Sequence, residues 1–241
     1  MPDLLIYGDS IRSPELRHEV PVPIPDPFLY AERDGRRVVI LHSLEIPRVR
    51  EDAPQLEIVP LEQLGVDELI ARGLPAWQTE LDLALRACRE LGLDRPAVPP
   101  GFPVAHADYL RENGVDVLVD RDLFDNRRRS KNETEIAGIR RAQRACEAAL
   151  DTARDLMRRA HANGTGLEVD GEPLTCERIK RAIEDVFSDH DVEGSDMIVA
   201  HGAQTAVGHN AGSGQIEPNE PIVFTARGRT DTSSAPRDRR R

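Results

Sequence analysis

The stretch from Val199 to Gly214 is the part of the sequence in which residue types and spacing could support chemistry. It holds two histidines, His201 and His209, eight positions apart among glycines, alanines and other small residues. Small residues allow a ligand to approach the backbone, and an imidazole can donate a hydrogen bond or transfer a proton near neutral pH. We therefore predict a candidate site here. The alternative is a flexible hairpin loop with exposed histidines, because no metal-ligand spacing is visible.

Other catalytic motifs are absent or incomplete. The zinc-protease pattern His-Glu-x-x-His does not occur in the sequence. The segment Gly212–Gly214 lacks the Gly-x-Ser-x-Gly pattern of a nucleophile elbow and the third glycine of a dinucleotide-binding loop. The arginine run from Arg127 to Arg129 could bind an anion, but such runs are more typical of a solvated connector.

The overall charge restricts the classes of partner. The 241 residues include 32 basic and 43 acidic side chains, which gives a formal net charge of −11. This charge argues against nucleic acid or an anionic membrane surface as a partner. The cysteines, Cys88, Cys146 and Cys176, form no Cys-x-x-Cys pair, so neither a structural zinc site nor a disulfide framework is expected. No leader-like or membrane-spanning apolar run is visible, and we expect a cytoplasmic protein.

The first half of the chain alternates short apolar runs with amphipathic stretches, a pattern typical of an α/β domain. Strands are predicted over residues 4–7, 37–42, 56–59, 95–98 and 115–119, and helices over 77–91 and 104–112. A polar, arginine-rich connector over residues 120–129 marks the predicted domain boundary, with the first domain ending near Phe124.

The second half begins with the longest predicted helix, over residues 131–161. Ser130 and Glu133 predict a capping box at its start. A second helix is predicted from Thr175, followed by a strand over residues 197–200. The glycine-rich segment with the two histidines comes next, and a last strand covers residues 221–224.

Two stretches of this second half resemble the catalytic domain of the Xaa-Pro aminopeptidase, prolidase and creatinase family, whose members share the pita-bread fold. The segment Arg129–Ala142 is similar to the stretch that opens that domain. The segment Met197–Phe224, with Gly202, His209 and a Glu-Pro-Asn-Glu-Pro turn, is similar to its next part. Three shorter stretches resemble the family's smaller N-terminal domain; they are Arg12–Arg17, Asp26–Tyr30 and Asp34–Arg37.

The resemblance implies an α/β fold class in two parts. An RNase H-like (creatinase N-terminal) domain is expected over residues 1–124, and an incomplete α+β pita-bread domain over residues 125–224. Residues 225–241 form an aberrant tail with six arginines against two aspartates. We expect that a frameshift or gene-model error replaced the native continuation after Phe224, and the alternative is a functional basic tail.

The resemblance also implies a hydrolase: removal of an N-terminal residue before proline, by a hydroxide that bridges two divalent metal ions of the manganese type. Proline-containing peptides are the implied substrates. His209 matches the family's histidine that contacts the substrate or takes part in proton transfer, and it is the catalytic residue that the resemblance assigns.

The sequence departs from the family at the metal ligands. Thr225 stands where the first metal-binding aspartate is expected, and Asp231 and Asp238 lie in an arginine-rich setting. Hard divalent cations need several converging oxygen ligands. We therefore expect this chain to bind no metal and to be catalytically incomplete. The alternatives are a non-catalytic relative that acts as a homodimerisation or partner-binding module, and, ranked behind it, metal-free hydrolysis of the creatinase type.

Overall fold

A computed structural model describes residues 2–230, which fall into two compact units over residues 2–135 and 136–230. The α-helices are α1 (Pro14–Glu19), α2 (Ile46–Asp52), α3 (Val66–Ala71), α4 (Ala76–Leu91), α5 (Val104–Glu112), α6 (Arg121–Arg129), α7 (Glu133–Arg159) and α8 (Cys176–Asp189). The strands are β1 (Leu4–Gly8), β2 (Phe28–Arg33), β3 (Arg36–Leu41), β4 (Glu57–Pro60), β5 (Ala97–Val98), β6 (Leu118–Val119), β7 (His161–Ala162), β8 (Leu167–Val169), β9 (Glu172–Pro173), β10 (Glu193–His201) and β11 (Ile222–Arg229).

A six-stranded mixed sheet in the order β4-β3-β2-β1-β5-β6 forms the centre of the first unit. β1, β2 and β3 pair antiparallel, whereas β4, β5 and β6 run parallel to their neighbours. Side chains alternate between the faces, so Leu5 packs with α4 and α5 while Leu4 and Ile6 pack with α1 and α2. Because both faces are covered, a strand such as β3 ends in a continuous apolar run. The mixed α/β class predicted from the sequence is confirmed.

The segment predicted to be a connector over residues 120–129 is helical, so that prediction is wrong. Asp120 caps α6, because its carboxylate accepts a hydrogen bond from the backbone N–H of Leu123 at 2.9 Å. Phe124 is buried in the same apolar cluster as Leu4 and Ile6. One buried aromatic side chain and a capping carboxylate thus hold a very polar segment in helical form.

The arginines of α6 are not simply solvated. Arg127 donates a hydrogen bond to Glu19 Oε1 at 2.7 Å and another to Glu32 Oε2 at 2.6 Å. Both carboxylates belong to buried residues. Burial raises the pKa of Glu19, but the hydrogen bond and charge of Arg127, helped by Arg37, outweigh it and lower the pKa overall. Arg127 therefore supplies the positive charge that balances the carboxylates of two buried glutamates.

The long helix α7 begins two residues later than predicted. Asn132 and Glu135 cap it reciprocally: Glu135 Oε2 accepts from the Asn132 N–H at 2.9 Å, and Asn132 Oδ1 accepts from the Glu135 N–H at 2.8 Å. This is the geometry of a capping box with asparagine in place of serine. The box predicted at Ser130 and Glu133 is therefore wrong in position.

In the second unit, α7 packs through a face of small side chains that includes Ala145, Ala149 and Ala153, all buried. These alanines contact an apolar cluster to which α8 contributes Ile183 and Phe187. β10 and β11 pair antiparallel, and a small three-stranded sheet of β7, β8 and β9 lies in the same unit.

The last strand is longer than predicted. β11 continues past Phe224 to Arg229 and stays paired with β10, with Arg227 opposite Ser195 and Arg229 opposite Glu193. The first part of the predicted tail is thus a strand, whereas residues 231–241 lie outside the described part of the chain. No helix within residues 2–230 is long and apolar enough to cross a membrane.

Candidate functional site

The loop between β10 and β11 follows directly after His201, the last residue of β10, carries His209, and folds back onto β10. The backbone N–H of Val199 donates to the carbonyl of Ala211 at 3.0 Å, and the N–H of Gly202 donates to the carbonyl of Pro221 at 3.0 Å. Gly212 has a φ of +78°, and a Cβ there would lie 1.7 Å from the carbonyl oxygen of Val199. Only glycine fits this close approach.

The His201 side chain connects the glycine-rich part of this loop to the turn that precedes β11. Its Nδ1 lies 2.5 Å from Glu220 Oε2, and its Nε2 lies 3.2 Å from the carbonyl oxygen of Ser213. The hydrogen bond from His201 lowers the pKa of Glu220. Gly202 leaves the space that Glu220 occupies, since a Cβ at that position would lie 2.2 Å from Glu220 Oε1. His201, which the sequence placed in the candidate site together with His209, is therefore a structural clamp.

Further side chains hold the glycine-rich part of the loop. The Gln204 amide bonds both backbone groups of Ser213, donating to the carbonyl at 2.9 Å and accepting from the N–H at 3.0 Å. From α8, Lys180 Nζ donates to the carbonyl of Gly212 at 2.7 Å, and Glu177 Oε1 accepts from the N–H of Gly214 at 3.1 Å. The loop is braced by side chains from both its own turn and a neighbouring helix, rather than being an unsupported hairpin.

His209 lies in a part of the loop that these side-chain hydrogen bonds do not hold. Its φ is +61° and its side chain is exposed. It lines a cavity of about 910 Å³ within the second unit, together with apolar residues of α7 and β10 and the polar residues Asp196, Thr225 and Arg227. Among the hydrogen bonds of residues 2–230, none involves its ring, so the imidazole is available to a ligand in the cavity.

The cavity does not bring together a metal-binding set. Of the carboxylates near it, Asp196 lies 3.9 Å from Arg227 Nη1 and is exposed. Thr225, which stands where the resemblance places the first metal-binding aspartate, lies on β11 opposite Ile198. Across residues 2–230, no three His, Cys, Asp or Glu side chains are close enough together to hold a metal ion. The described residues therefore do not fit a dinuclear metal centre.

The structure separates the predicted site residues by role. His201 ends β10 and its ring forms hydrogen bonds within the protein, whereas His209 lies in the loop that follows and is exposed. Sequence reasoning missed Glu220 and Gln204, which fix the loop. Glu220 lies within the Glu-Pro-Asn-Glu-Pro turn, just before β11 begins. Its partner is 19 residues away in sequence, so no neighbouring residue indicates the contact with His201.

Comparison with known proteins gives matches at the level of structure. No protein-family model matches the chain, and no curated protein matches its sequence. Among solved structures, the chain is similar to a Xaa-Pro dipeptidase from Bacillus anthracis, with a TM-score of 0.68 and 15% identity. It is also similar to a prolidase from Pyrococcus horikoshii OT3 (TM-score 0.66, 14% identity) and an X-Pro aminopeptidase from Thermotoga maritima MSB8 (TM-score 0.66, 15% identity).

These matches cover 95% of this chain, but only 56% of the dipeptidase and the prolidase and 59% of the aminopeptidase. The chain therefore spans a little over half the length of the structures it resembles. At such low identity the similarity establishes a shared fold. It confirms the resemblance to prolidases and Xaa-Pro aminopeptidases at that level.

Proposed function

We propose that this chain is a Xaa-Pro peptidase-like protein in which the loop over residues 202–214 contacts a proline-containing peptide. The observation that carries the proposal is the exposed His209 ring on the wall of a cavity of about 910 Å³. That cavity lies in a fold shared with enzymes whose names specify Xaa-Pro peptides. An imidazole without an internal partner can donate to a peptide carbonyl or move a proton at a ring nitrogen.

The two-part layout belongs to the same proposal. Residues 1–124 would form the RNase H-like domain, and residues from 125 would form the first part of a pita-bread domain. The mixed sheet with helices on both faces supports the first assignment. The packing of α7 and α8 against β10 and β11 supports the second.

We infer further that this chain alone does not hydrolyse peptides. In the family that the sequence resembles, two divalent ions supply the attacking hydroxide and polarise the scissile carbonyl. Residues 2–230 bring together no set of ligands for such ions, and a threonine hydroxyl at position 225 is a poor substitute for a carboxylate. The braced loop and His209 would then bind and orient a peptide without the group that cleaves it.

Peptide binding is tested by titrating the protein with the dipeptide Ala-Pro while following the ring resonances of the histidines by NMR. The His209 resonances are expected to shift in a saturable manner, and His209→Gln should weaken binding measured by calorimetry. His161→Gln is the matched control, because His161 is an exposed histidine of the same unit. Binding that is unchanged in His209→Gln would remove His209 from the site.

Hydrolysis is tested separately with Ala-Pro and a Xaa-Pro tripeptide in the presence of manganese, and bound metal is measured after dialysis. We expect neither turnover nor retained metal. Turnover that a chelator abolishes would show that this chain, or a second copy of it, does assemble a metal centre. That result would leave the peptide-binding proposal intact and overturn the inference of inactivity.

A further inference from the structure

A second cleft, in the first unit, lies far from these histidines in sequence and has a different chemical character. Its volume is about 590 Å³. α4 and α5 form two of its sides, and the residues that join α3 to α4 form the third. The side chains on which the argument rests are Arg72, Trp77, Asp82, Arg86, Arg89 and Tyr109.

The charged groups of the cleft leave an excess of positive charge. Arg86 is already engaged, because its Nη1 donates to the carbonyl of Leu64 at 2.9 Å and to Glu68 Oε2 at 3.1 Å. Arg72 and Arg89 have no carboxylate oxygen within 4.0 Å among residues 2–230. These two guanidinium groups line one cleft without a carboxylate partner, so together they create a local field that attracts anions.

The one carboxylate of the cleft has its own partner. Asp82 accepts a hydrogen bond from the Tyr109 hydroxyl. This hydrogen bond, together with burial and the charge of Asp82, raises the pKa of Tyr109, while the nearby charge of Arg89 acts in the opposite direction. Arg89 is thus close to this pair without forming an ion pair with it, and its guanidinium donors stay available.

An aromatic surface lies beside these guanidinium groups. Trp77, the one tryptophan of the chain, is 62% exposed although it is the largest apolar side chain in the protein. An exposed indole can stack on a planar ring, and guanidinium groups pair with phosphate or carboxylate oxygens in a planar, two-pronged geometry. A ligand that uses both features carries a planar ring at one end and an anionic group at the other.

We propose that this cleft binds a small organic anion with a planar ring, of the chemical class of a nucleoside monophosphate. The ring lies against Trp77, and the anionic group is bound by Arg72 and Arg89. The volume of the cleft is within the range of small-ligand sites. This proposal is independent of the function proposed for the second unit, since none of its residues belongs to that unit.

The probe for the test is adenosine 5′-monophosphate, and the readout is the fluorescence of Trp77 together with calorimetry. The intact chain is expected to bind the nucleotide with saturable quenching. The double variant Arg72→Gln/Arg89→Gln should weaken binding by about tenfold or more, as expected when charge-assisted hydrogen bonds are lost. Trp77→Leu should weaken the binding measured by calorimetry. Arg50→Gln, an exposed arginine elsewhere in the same unit, should change nothing.

Four further titrations decide whether both features are used. Adenosine and inorganic phosphate should each bind more weakly than the nucleotide, since each engages one half of the site. Raising the ionic strength from about 0.01 to 0.15 M shortens the screening length from roughly 30 to 8 Å and should weaken nucleotide binding. Equal binding by the double variant would overturn the proposal. So would binding of an acidic peptide where the nucleotide does not bind, because the cleft would then be a protein-docking surface.

Discussion

Both ring nitrogens of His201 face hydrogen-bond acceptors: Nδ1 lies 2.5 Å from Glu220 Oε2, and Nε2 lies 3.2 Å from the carbonyl oxygen of Ser213. A neutral imidazole carries one N–H and can satisfy only one of these acceptors, whereas an imidazolium satisfies both. The clamp that closes the loop between β10 and β11 therefore depends on an ionised Glu220, whose pKa is lowered by the hydrogen bond with His201. The position of His209 thus depends on a pair of residues with which it shares no hydrogen bond within residues 2–230.

Removing the carboxylate should loosen this loop. Glu220→Gln replaces the ionic hydrogen bond by a neutral one, so the amides of residues 211–214 are expected to exchange with deuterium several-fold faster at neutral pH. Glu217→Gln is the control, because Glu217 is an exposed glutamate of the same turn. Equal exchange in the two variants would mean that His201 and Glu220 do not hold the loop.

The pH dependence of the clamp follows from the lowered pKa of Glu220. A carboxylate whose pKa is lower in the folded state stabilises that state above its unfolded pKa, and the contribution is lost as the pH falls through the folded value. Amide protection of the loop should therefore decrease on acidification below about pH 4.3. Glu220→Gln should abolish the acid limb.

The ionic network of α6 should make a large contribution to the stability of the first unit. Arg127→Ala leaves Glu19 and Glu32 without the partner that lies 2.7 and 2.6 Å from them. Glu32 then has no cationic partner within 4.0 Å among residues 2–230, and Glu19 keeps only Arg37, at 2.9 Å. Because a buried charge without its partner is costly, the free energy of unfolding in denaturant should fall by about 3 kcal/mol. Arg129→Ala, on the exposed side of the same helix, should change it by less than about 0.5 kcal/mol. A similar loss in both variants would show that the ion pairs of Arg127 are not the cause, since alanine has the higher helix propensity at both positions.

His106 should make the first unit sensitive to acid. Its ring is buried, stacks on Tyr7 with centroids 4.0 Å apart, and leaves Nε2 without a hydrogen-bond partner among the described residues. Burial lowers its pKa, and the charge of Glu80 opposes this only in part. Since the folded pKa is below the unfolded one, the unfolded state binds the proton first. Stability should therefore fall as the pH drops below about 6.5.

The variant that tests this is His106→Phe, which keeps an aromatic ring and removes the titrating group. Its unfolding free energy, measured in urea at pH 7 and pH 5.5, should fall less on acidification than that of the parent chain. His42→Gln removes an exposed histidine of the same unit and should retain the full acid sensitivity. A parent chain equally stable at both pH values would contradict the assignment.

Two glycines of the site loop should respond very differently to alanine. At Gly212 the new Cβ would collide with the backbone of Val199, and the φ of +78° is unfavourable for alanine. We expect Gly212→Ala to destabilise the second unit by about 2 kcal/mol or more. At Gly208 a Cβ would have no atom within 4 Å, so Gly208→Ala should be tolerated. Thermal unfolding of the two variants distinguishes these outcomes.

Much of the fold was predictable because its signals are local. The helix over residues 104–112 was predicted with the bounds that the structure gives to α5, since apolar spacing and the Asn113-Gly114 ending define it. The helix α6 was missed because Arg127 is stabilised by Glu19, 108 positions away in sequence. Nothing near an arginine run indicates that such a partner exists.

The candidate site was predictable to a similar degree. The loop and its two histidines were identified from residue types, because small residues and imidazoles can be read locally. Their different roles depend on contacts across the fold, such as Lys180 with Gly212 over 32 positions. The start of α7 could have been placed correctly, since Asn132 and Glu135 have the same spacing as Ser130 and Glu133 and only the choice between them was wrong.

The outer edge of β11 has a consequence for self-association. Within residues 2–230 this strand pairs only with β10, so its other edge offers free backbone groups to any extended chain. The side chains at positions 223, 225, 227 and 229 are exposed, and the last two of them are arginines. Charged side chains on an open edge act as gatekeepers, because edge-to-edge pairing would bring like charges together and desolvate them. Two arginines are unusual in a strand of a buried sheet. Here Arg227 and Arg229 oppose the pairing of β11 with a further strand, and so the growth of the sheet.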